Sequence, residues 1–331
     1  MYVDSHTHLN NEDLYSHRQI HRNNFLEKGI LINIGVNHEY NTKGIQICKA
    51  LTLDDKSPAI DAITKSGRYP KSSYDIKEIT RLPKGTTEPW IYCTIGLHPY
   101  EVVSGVITDS NLQYHLTEMC SLYAPYKDFI IGIGECGIDT SYPESKSTLS
   151  VQKDLFWQQC DLARQWNLPI IIHSRSNREA THDILKNFKD LTIYFHCRSY
   201  TPAEIRVIKS IYSDFYIGFT NITYPKAIDI RKSLRYLVFE NEIYPEHIIS
   251  GKIDTSSKIL NPRKDVDAKN QELGTRNLLI ETDAPYLAPQ SHRGETNTPD
   301  LIGDIYQYIS SLLGKDISSQ VVENAKKCYK L

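Results

Sequence analysis

Several features are scarce or missing in this 331-residue chain, and each narrows what it does. There is no Cys-x-x-Cys pair, and the seven cysteines are odd in number and scattered. That argues against a disulfide framework and for reduced thiols in a cytosolic or nuclear compartment. No apolar run near the start reads as a secretory h-region, and none is long enough to cross a bilayer. The expectation is a soluble intracellular protein, cytoplasmic or nuclear, with no membrane partner. Charge of either sign is barely in excess, at −2 overall. A protein that coats nucleic acid electrostatically is therefore excluded, and any such contact must be local. A glycine-rich phosphate loop is missing after the first expected strand, where a dinucleotide-binding fold would carry one.

What stands there instead is Val3-Asp4-Ser5-His6-Thr7-His8-Leu9. Side chains alternate along a strand, so His6 and His8 point the same way, about two residues' rise apart. Two imidazoles so placed form half of a metal site. A lone His-x-His also occurs as two exposed histidines in a turn, so the rest of the chain must supply the other ligands.

Hydrophobic residues make up 40% and charged residues 24%, a globular composition. Apolar runs and helical patterns alternate along the chain. Strands are expected at Ile30–Val36, Trp90–Ile95, Phe129–Gly134, Pro169–Ile172, Leu191–Phe195, Phe215–Phe219 and Asn277–Thr282, after a first at Tyr2–Val3. Helical patterns cover Asn11–Lys28, Glu39–Leu51, Asp109–Tyr123, the stretch with Phe156, Cys160, Ala163 and Trp166, the run from Thr298 to Gly314, and Ser318–Tyr329. About eight strand–helix units predict a closed (β/α)₈ barrel in one domain spanning 1–331, with a doubly wound open sheet as the alternative. Two polar stretches, Thr52–Glu88 and Asn241–Thr275, lose apolar periodicity and are read as insertions. For the first, a functional lid and an inert surface excursion both stay open.

His6, His8, Glu135, His173, His196 and Asp283 all fall at the C-terminal ends of expected strands. In a barrel these ends converge on the face that carries active sites. Any one could be an ordinary half-buried polar group, but six together are hard to assign to chance. Four histidines and two carboxylates exceed one tetrahedral ion with a water, and suit two ions sharing a bridging carboxylate. Gly134 and Gly137 flank Glu135, letting the backbone pack closely so that the carboxylate reaches both ions.

These residues sit within a set of motifs: Asp4-Ser5-His6-Thr7-His8-Leu9, Gly96-Leu97-His98-Pro99, Gly134-Glu135-Cys136-Gly137-Ile138-Asp139, Ile172-His173-Ser174-Arg175, His196-Cys197, and Glu281-Thr282-Asp283 running on to Pro289. Together they resemble the TatD family of metal-dependent deoxyribonucleases, in the amidohydrolase superfamily, from the first strand to the C-terminal helices. The resemblance implies a (β/α)₈ barrel and DNA as substrate. It further implies one divalent ion on His6, His8, Glu135 and Asp283 and a second on Glu135, His173 and His196. Two departures bear on substrate preference: the stretch Cys197-Arg198-Ser199-Tyr200, and two polar excursions longer than the family's usual connections.

The mechanism expected is two-metal hydrolysis of a phosphodiester. Asp283 serves as ligand and general base, and His98 as a contact to the phosphate or leaving group. A purely structural histidine beside Pro99 is the other reading of His98. Mg²⁺, Mn²⁺ and Zn²⁺ all suit the mixed donor set. Arg175, Arg198 and Arg293 lie on loops of the same face and are expected to bind phosphate, unless they pair with Asp139, Glu179 or Glu295. Tyr100, Tyr142, Tyr200 and Tyr286 follow strand-end motifs, either as base-stacking rings or as ordinary packing. Other readings are a D-aminoacyl-tRNA deacylase, another amidohydrolase-type hydrolase, or a non-catalytic binding protein, which would have lost ligands. Oligomeric state is not legible, and a monomer is the working expectation.

Overall fold

The computed structural model describes residues 1–18, 21, 25, 29–52, 91–196, 200–220, 222–242, 244–252 and 275–331. The excursion expected over 52–88, beyond Thr52, lies outside these residues, as do Trp90, Arg198 and most of the second excursion.

Eight parallel strands follow one another around a barrel in sequence order. They are β1 (Tyr2–Thr7), β2 (Gly29–Asn33), β3 (Ile91–Ile95), β4 (Ile130–Asp139), β5 (Ile170–Arg175), β6 (Ile193–Phe195), β7 (Phe215–Phe219) and β8 (Leu278–Ile280). The expected (β/α)₈ barrel is the observed fold. Strand alternation divides the core into two compartments. One residue per strand (Val3, Ile32, Tyr92, Ile131, Ile171, Tyr194, Tyr216 and Leu279) fills the barrel interior. The C-terminal helix Ser318–Tyr329 completes this cluster with Val322, Ala325, Cys328 and Tyr329. Their neighbours on the outward face, such as Leu31, Cys93, Ile130 and Ile172, pack under the surrounding helices. Strands buried on both faces are the reason these segments are continuous apolar runs.

The last helices do more than cover the barrel. Tyr329 donates its hydroxyl to the Ser5 carbonyl at 2.8 Å, and Tyr306 bonds both backbone polar groups of Val3 at 3.1 Å. The strand bearing His6 is thereby pinned from outside its own ladder. The seam between β8 and β1 is closed largely by side chains. Asp4 accepts from the Thr282 amide at 2.9 Å and the Thr282 hydroxyl at 2.6 Å, and Ser5 donates to the Ile280 carbonyl at 2.8 Å. Above them the Asp283 amide donates to the His6 carbonyl at 2.9 Å, and that of His8 to the Ala284 carbonyl at 2.8 Å.

Several boundaries differ from the sequence expectation. β4 and β5 do not stop at their titratable residues but continue to Asp139 and Arg175, which pair with each other. A register shift between Ile133 and Cys136 absorbs the extra length, so the ladder resumes beyond Glu135. The helix expected over Asp109–Tyr123 is two shorter ones, Leu112–Ser121 and Tyr123–Tyr126. The long helix is Ser145–Trp166, stopped by Asn167 in the left-handed region at φ 54°. The second excursion begins as an integral part of the fold. Its helix Glu246–Ser250 is held by Arg231, which is fully buried and donates to the carbonyls of Ile248, Ile249, Tyr224, Pro225 and Ile222.

Candidate metal centre

The local backbone at the barrel's C-terminal end is shaped to bring carboxylates and imidazoles inward. β1 shifts register between Asp4 and Thr7, where His6 sits, and β4 does so around Glu135. Bulges of this kind re-aim side chains beside active sites. Gly134 and Gly137 have φ of +134° and +145°, and a Cβ on them would lie 2.6 Å from the Ile171 carbonyl oxygen and 1.9 Å from that of His173. Glu135 can enter the barrel mouth only because its flanking residues leave room for β5. Asp283 adopts φ +55°, a conformation costly for a non-glycine residue, and is held there by its bond to His6.

All six strand-end residues meet. The two oxygens of Glu135 divide them. Oε2 lies 3.3 Å from His6 Nε2 and 3.7 Å from His8 Nε2, while Asp283 Oδ1 stands 3.6 and 3.5 Å from the same nitrogens. Oε1 lies 2.6 Å from His173 Nδ1 and 3.0 Å from His196 Nε2. His6, His8, Glu135, His196 and Asp283 are all buried. Burial drives the His6 imidazole down and so keeps it neutral. Burial also pushes Glu135 up, but His196 and the hydrogen bonds of His173, His196 and His6 outweigh it and hold the carboxyl well below its usual range. His196 is raised well above the ordinary imidazole value, because Glu135 overcomes the cost of burial. An ionised carboxylate set among imidazole nitrogens is the chemistry of a cation site. His6 Nε2 and His8 Nε2 face each other at 3.2 Å. One divalent ion would satisfy both lone pairs at once, so the donor set fits the group the sequence implied.

His98 comes within 3.4 Å of Glu135 Oε1 through Nε2. Its Nδ1 accepts the Tyr100 amide at 3.0 Å, capping the helix Pro99–Val103. That bond leaves the proton on Nε2 of the neutral ring, and burial favours the neutral form. His98 therefore presents an N–H to the cluster, not a lone pair. The two readings of this residue are both partly met, since one nitrogen is structural and the other faces the site.

Several residues that sequence reasoning passed over hold this arrangement. Asp139 Oδ2 lies 3.2 Å from His173 Nε2 and fixes which imidazole nitrogen turns to Glu135. The sequence suggests Asp139 only as an arginine partner, although it lies four residues beyond Glu135 in the same strand. Gln152 and Gln159, seven apart on the buried face of the long helix, each clamp a backbone segment. Gln152 bonds the amide and carbonyl of Asp139 at 2.9 and 3.1 Å, and Gln159 those of Leu97 at 2.8 and 3.0 Å. Two glutamines on an otherwise apolar helical face were the available signal. Beneath the cluster, Glu281 accepts from the Tyr194 hydroxyl, and its other oxygen lies 3.8 Å from His196 Nδ1.

The cleft above the cluster has a volume of about 1170 Å³. Arg175 lines it and is exposed. Arg293 does not join that lining; its guanidinium lies 5.9 Å from the Tyr224 ring centroid. Arg178, which the sequence reading overlooked, lines the cleft as the first residue of the helix Arg178–Leu185, ion-paired with Glu204. Two of the acidic partners expected for the arginines are engaged elsewhere, Asp139 with His173 and Glu295 with His292. Tyr100, Tyr142 and Tyr286 line the cleft, whereas Tyr200 is core.

Comparison with known proteins agrees with this picture. The chain is 27% identical over 267 residues to the metal-dependent hydrolase YabD of Bacillus subtilis, covering 78% of this chain and 85% of that one. It is 24% identical over 339 residues to the metal-dependent hydrolase MG009 of Mycoplasma genitalium, covering 99% and 98% of the two chains. The crystal structure of YJJV, a TatD homologue from Escherichia coli, shares the fold with a TM-score of 0.66 at 16% identity, over 100% of this chain and 98% of that one. The model of the family described as TatD related DNase matches residues 3–241 and 253–330, and this chain belongs to that family of metal-dependent hydrolases.

Proposed function

We propose that this protein hydrolyses DNA phosphodiester bonds with two divalent ions bridged by Glu135. The observation that carries the reading is the division of the Glu135 carboxylate, with Oε2 facing His6 and His8 and Oε1 facing His173 and His196. His6, His8, Glu135 and Asp283 would hold one ion, and Glu135, His173 and His196 the other. Bound there, Mg²⁺, Mn²⁺ or Zn²⁺ would supply Lewis-acid polarisation of the phosphate and lower the pKa of an attacking water.

The chain's own groups then have distinct tasks. Asp283 would be a ligand to one ion, and its carboxylate would also take the proton of the attacking water. Burial raises its pKa, but the His8 hydrogen bond and the neighbouring imidazoles outweigh this and keep it ionised. The His98 N–H is aimed to donate to a phosphate oxygen or the leaving group. Arg175 offers a guanidinium to a non-bridging oxygen.

The test is hydrolysis of a labelled single-stranded oligonucleotide by protein stripped with a chelator and then reloaded with each metal. Cleavage that returns with metal supports the reading. A reloaded protein that cleaves small esters or amides but no oligonucleotide overturns the nuclease assignment and leaves a metal-dependent hydrolase of another substrate.

A further inference from the structure

The cleft above the cluster has aromatic walls that the proposed chemistry does not use. Tyr100 lies in the first turn of the helix after β3, and Tyr142 follows β4. Their ring centroids are 5.2 Å apart with planes at 53°, and Tyr100 is 45% exposed. Neither hydroxyl has a hydrogen-bond partner among the described residues. The tyrosines of the core behave differently: Tyr194, Tyr306 and Tyr329 are buried and commit their hydroxyls to Glu281, Val3 and Ser5. A tyrosine pair that is neither buried nor anchored offers the cleft its ring surfaces and little else.

A second wall faces the first. Tyr286 follows β8, four strands from β4 in an eight-strand ring and so across the mouth. It is 53% exposed, with its ring edge-on to His8 at 6.2 Å between centroids. Asn11 donates to its hydroxyl at 3.4 Å and to that of Tyr40 at 3.2 Å, fixing the wall. All four tyrosines line the one cleft, as does Arg175, whose strand position pairs with Asp139 three residues before Tyr142. Ring faces beside a guanidinium suit a flat ring next to an anion.

We infer that Tyr100 and Tyr142 form a stacking subsite for an unpaired nucleobase adjoining the scissile phosphodiester, with Tyr286 as the opposing wall. The inference rests on the nucleic-acid reading above and adds the residues that select for a base. Stacking of one base on an aromatic side chain changes affinity by about five- to a hundredfold. An aromatic face tolerates any base, so the subsite recognises that a base is present without recognising which one.

The test measures binding without cleavage, using chelator-treated protein and a single-stranded oligonucleotide carrying one 2-aminopurine or one abasic site at successive positions. Wild-type protein should quench 2-aminopurine at one position, and an abasic site there should weaken binding about five- to a hundredfold. Tyr100→Ala/Tyr142→Ala should lose both effects, while Tyr100→Phe/Tyr142→Phe should keep them, since the ring face suffices. In the alanine variant, normal and abasic strands should bind alike. An abasic penalty that is absent in wild type, or equal in wild type and the alanine variant, overturns the subsite. The outcomes also separate the two proposals. A reloaded enzyme that cleaves no DNA sinks the nuclease reading even where quenching persists. Cleavage indifferent to the abasic site sinks the stacking subsite alone.

Discussion

Gln159 grips Leu97 by both ends of its side-chain amide, accepting from the Leu97 amide at 2.8 Å and donating to its carbonyl at 3.0 Å. The contact joins the long helix to the residue before His98, where the backbone leaves β3. Gln159→Leu keeps the bulk but leaves two buried backbone groups unpaired, at roughly 1–3 kcal/mol each. A drop in stability of about 2–4 kcal/mol is expected from the denaturation midpoint, with a loss of kcat as His98 loosens. An unchanged midpoint would mean that the clamp is replaced by water.

Glu135→Ala should remove the carboxylate shared by the two halves of the cluster. Elemental analysis should find metal content well below that of wild type, and hydrolysis should fall to background while circular dichroism still reports a folded barrel. Added metal should raise the Tm of wild type but not of this variant, since only a ligand that binds the folded state shifts unfolding. Wild-type stoichiometry in the variant would remove Glu135 from the site.

Asp139 is expected to act through His173. Loss of an outer-shell carboxylate typically costs about 10–100-fold in metal affinity, so Asp139→Ala should weaken metal binding by that amount. Asp139→Asn, still able to accept from His173 Nε2, should fall between. Competition with a metal-sensitive dye reads the difference, and equal affinities in all three proteins would make Asp139 merely structural.

Arg231 satisfies five carbonyls from two chain segments with one side chain. Arg231→Met removes this donor from all five, although the Tyr224 carbonyl keeps the Ala227 amide at 3.0 Å. A loss of roughly 3–5 kcal/mol is expected from urea unfolding, among the larger single-site effects. A loss under about 1 kcal/mol would show that water enters and replaces the guanidinium.

The residues of the candidate centre were legible because two periodicities coincide. Apolar runs mark strands buried on both faces, and a titratable residue ending such a run must lie at the barrel's open end. His6, His8, Glu135, His173, His196 and Asp283 could therefore be named from order alone. The same pattern misplaced the ends of β4 and β5, since a bulge leaves no periodic trace: Glu135 reads as a terminus but stands mid-strand. It also missed Asp139, Gln152 and Gln159. Their roles depend on which carbonyl, amide or imidazole a neighbouring element presents, and that is set by register and helix rotation.

The sequence by itself determined the fold class, the residue types of the candidate centre and the face on which they gather, because burial pattern and strand polarity are properties of one chain segment at a time. Only the tertiary structure decided how Glu135 divides its oxygens, which nitrogen of His98 faces the cluster, and which arginines border the cleft. Arg175 and Arg293 look alike in sequence, both following strand-end motifs. One lines the cleft and the other lies beside Tyr224, because a loop's direction is fixed by contacts with segments far away in the chain.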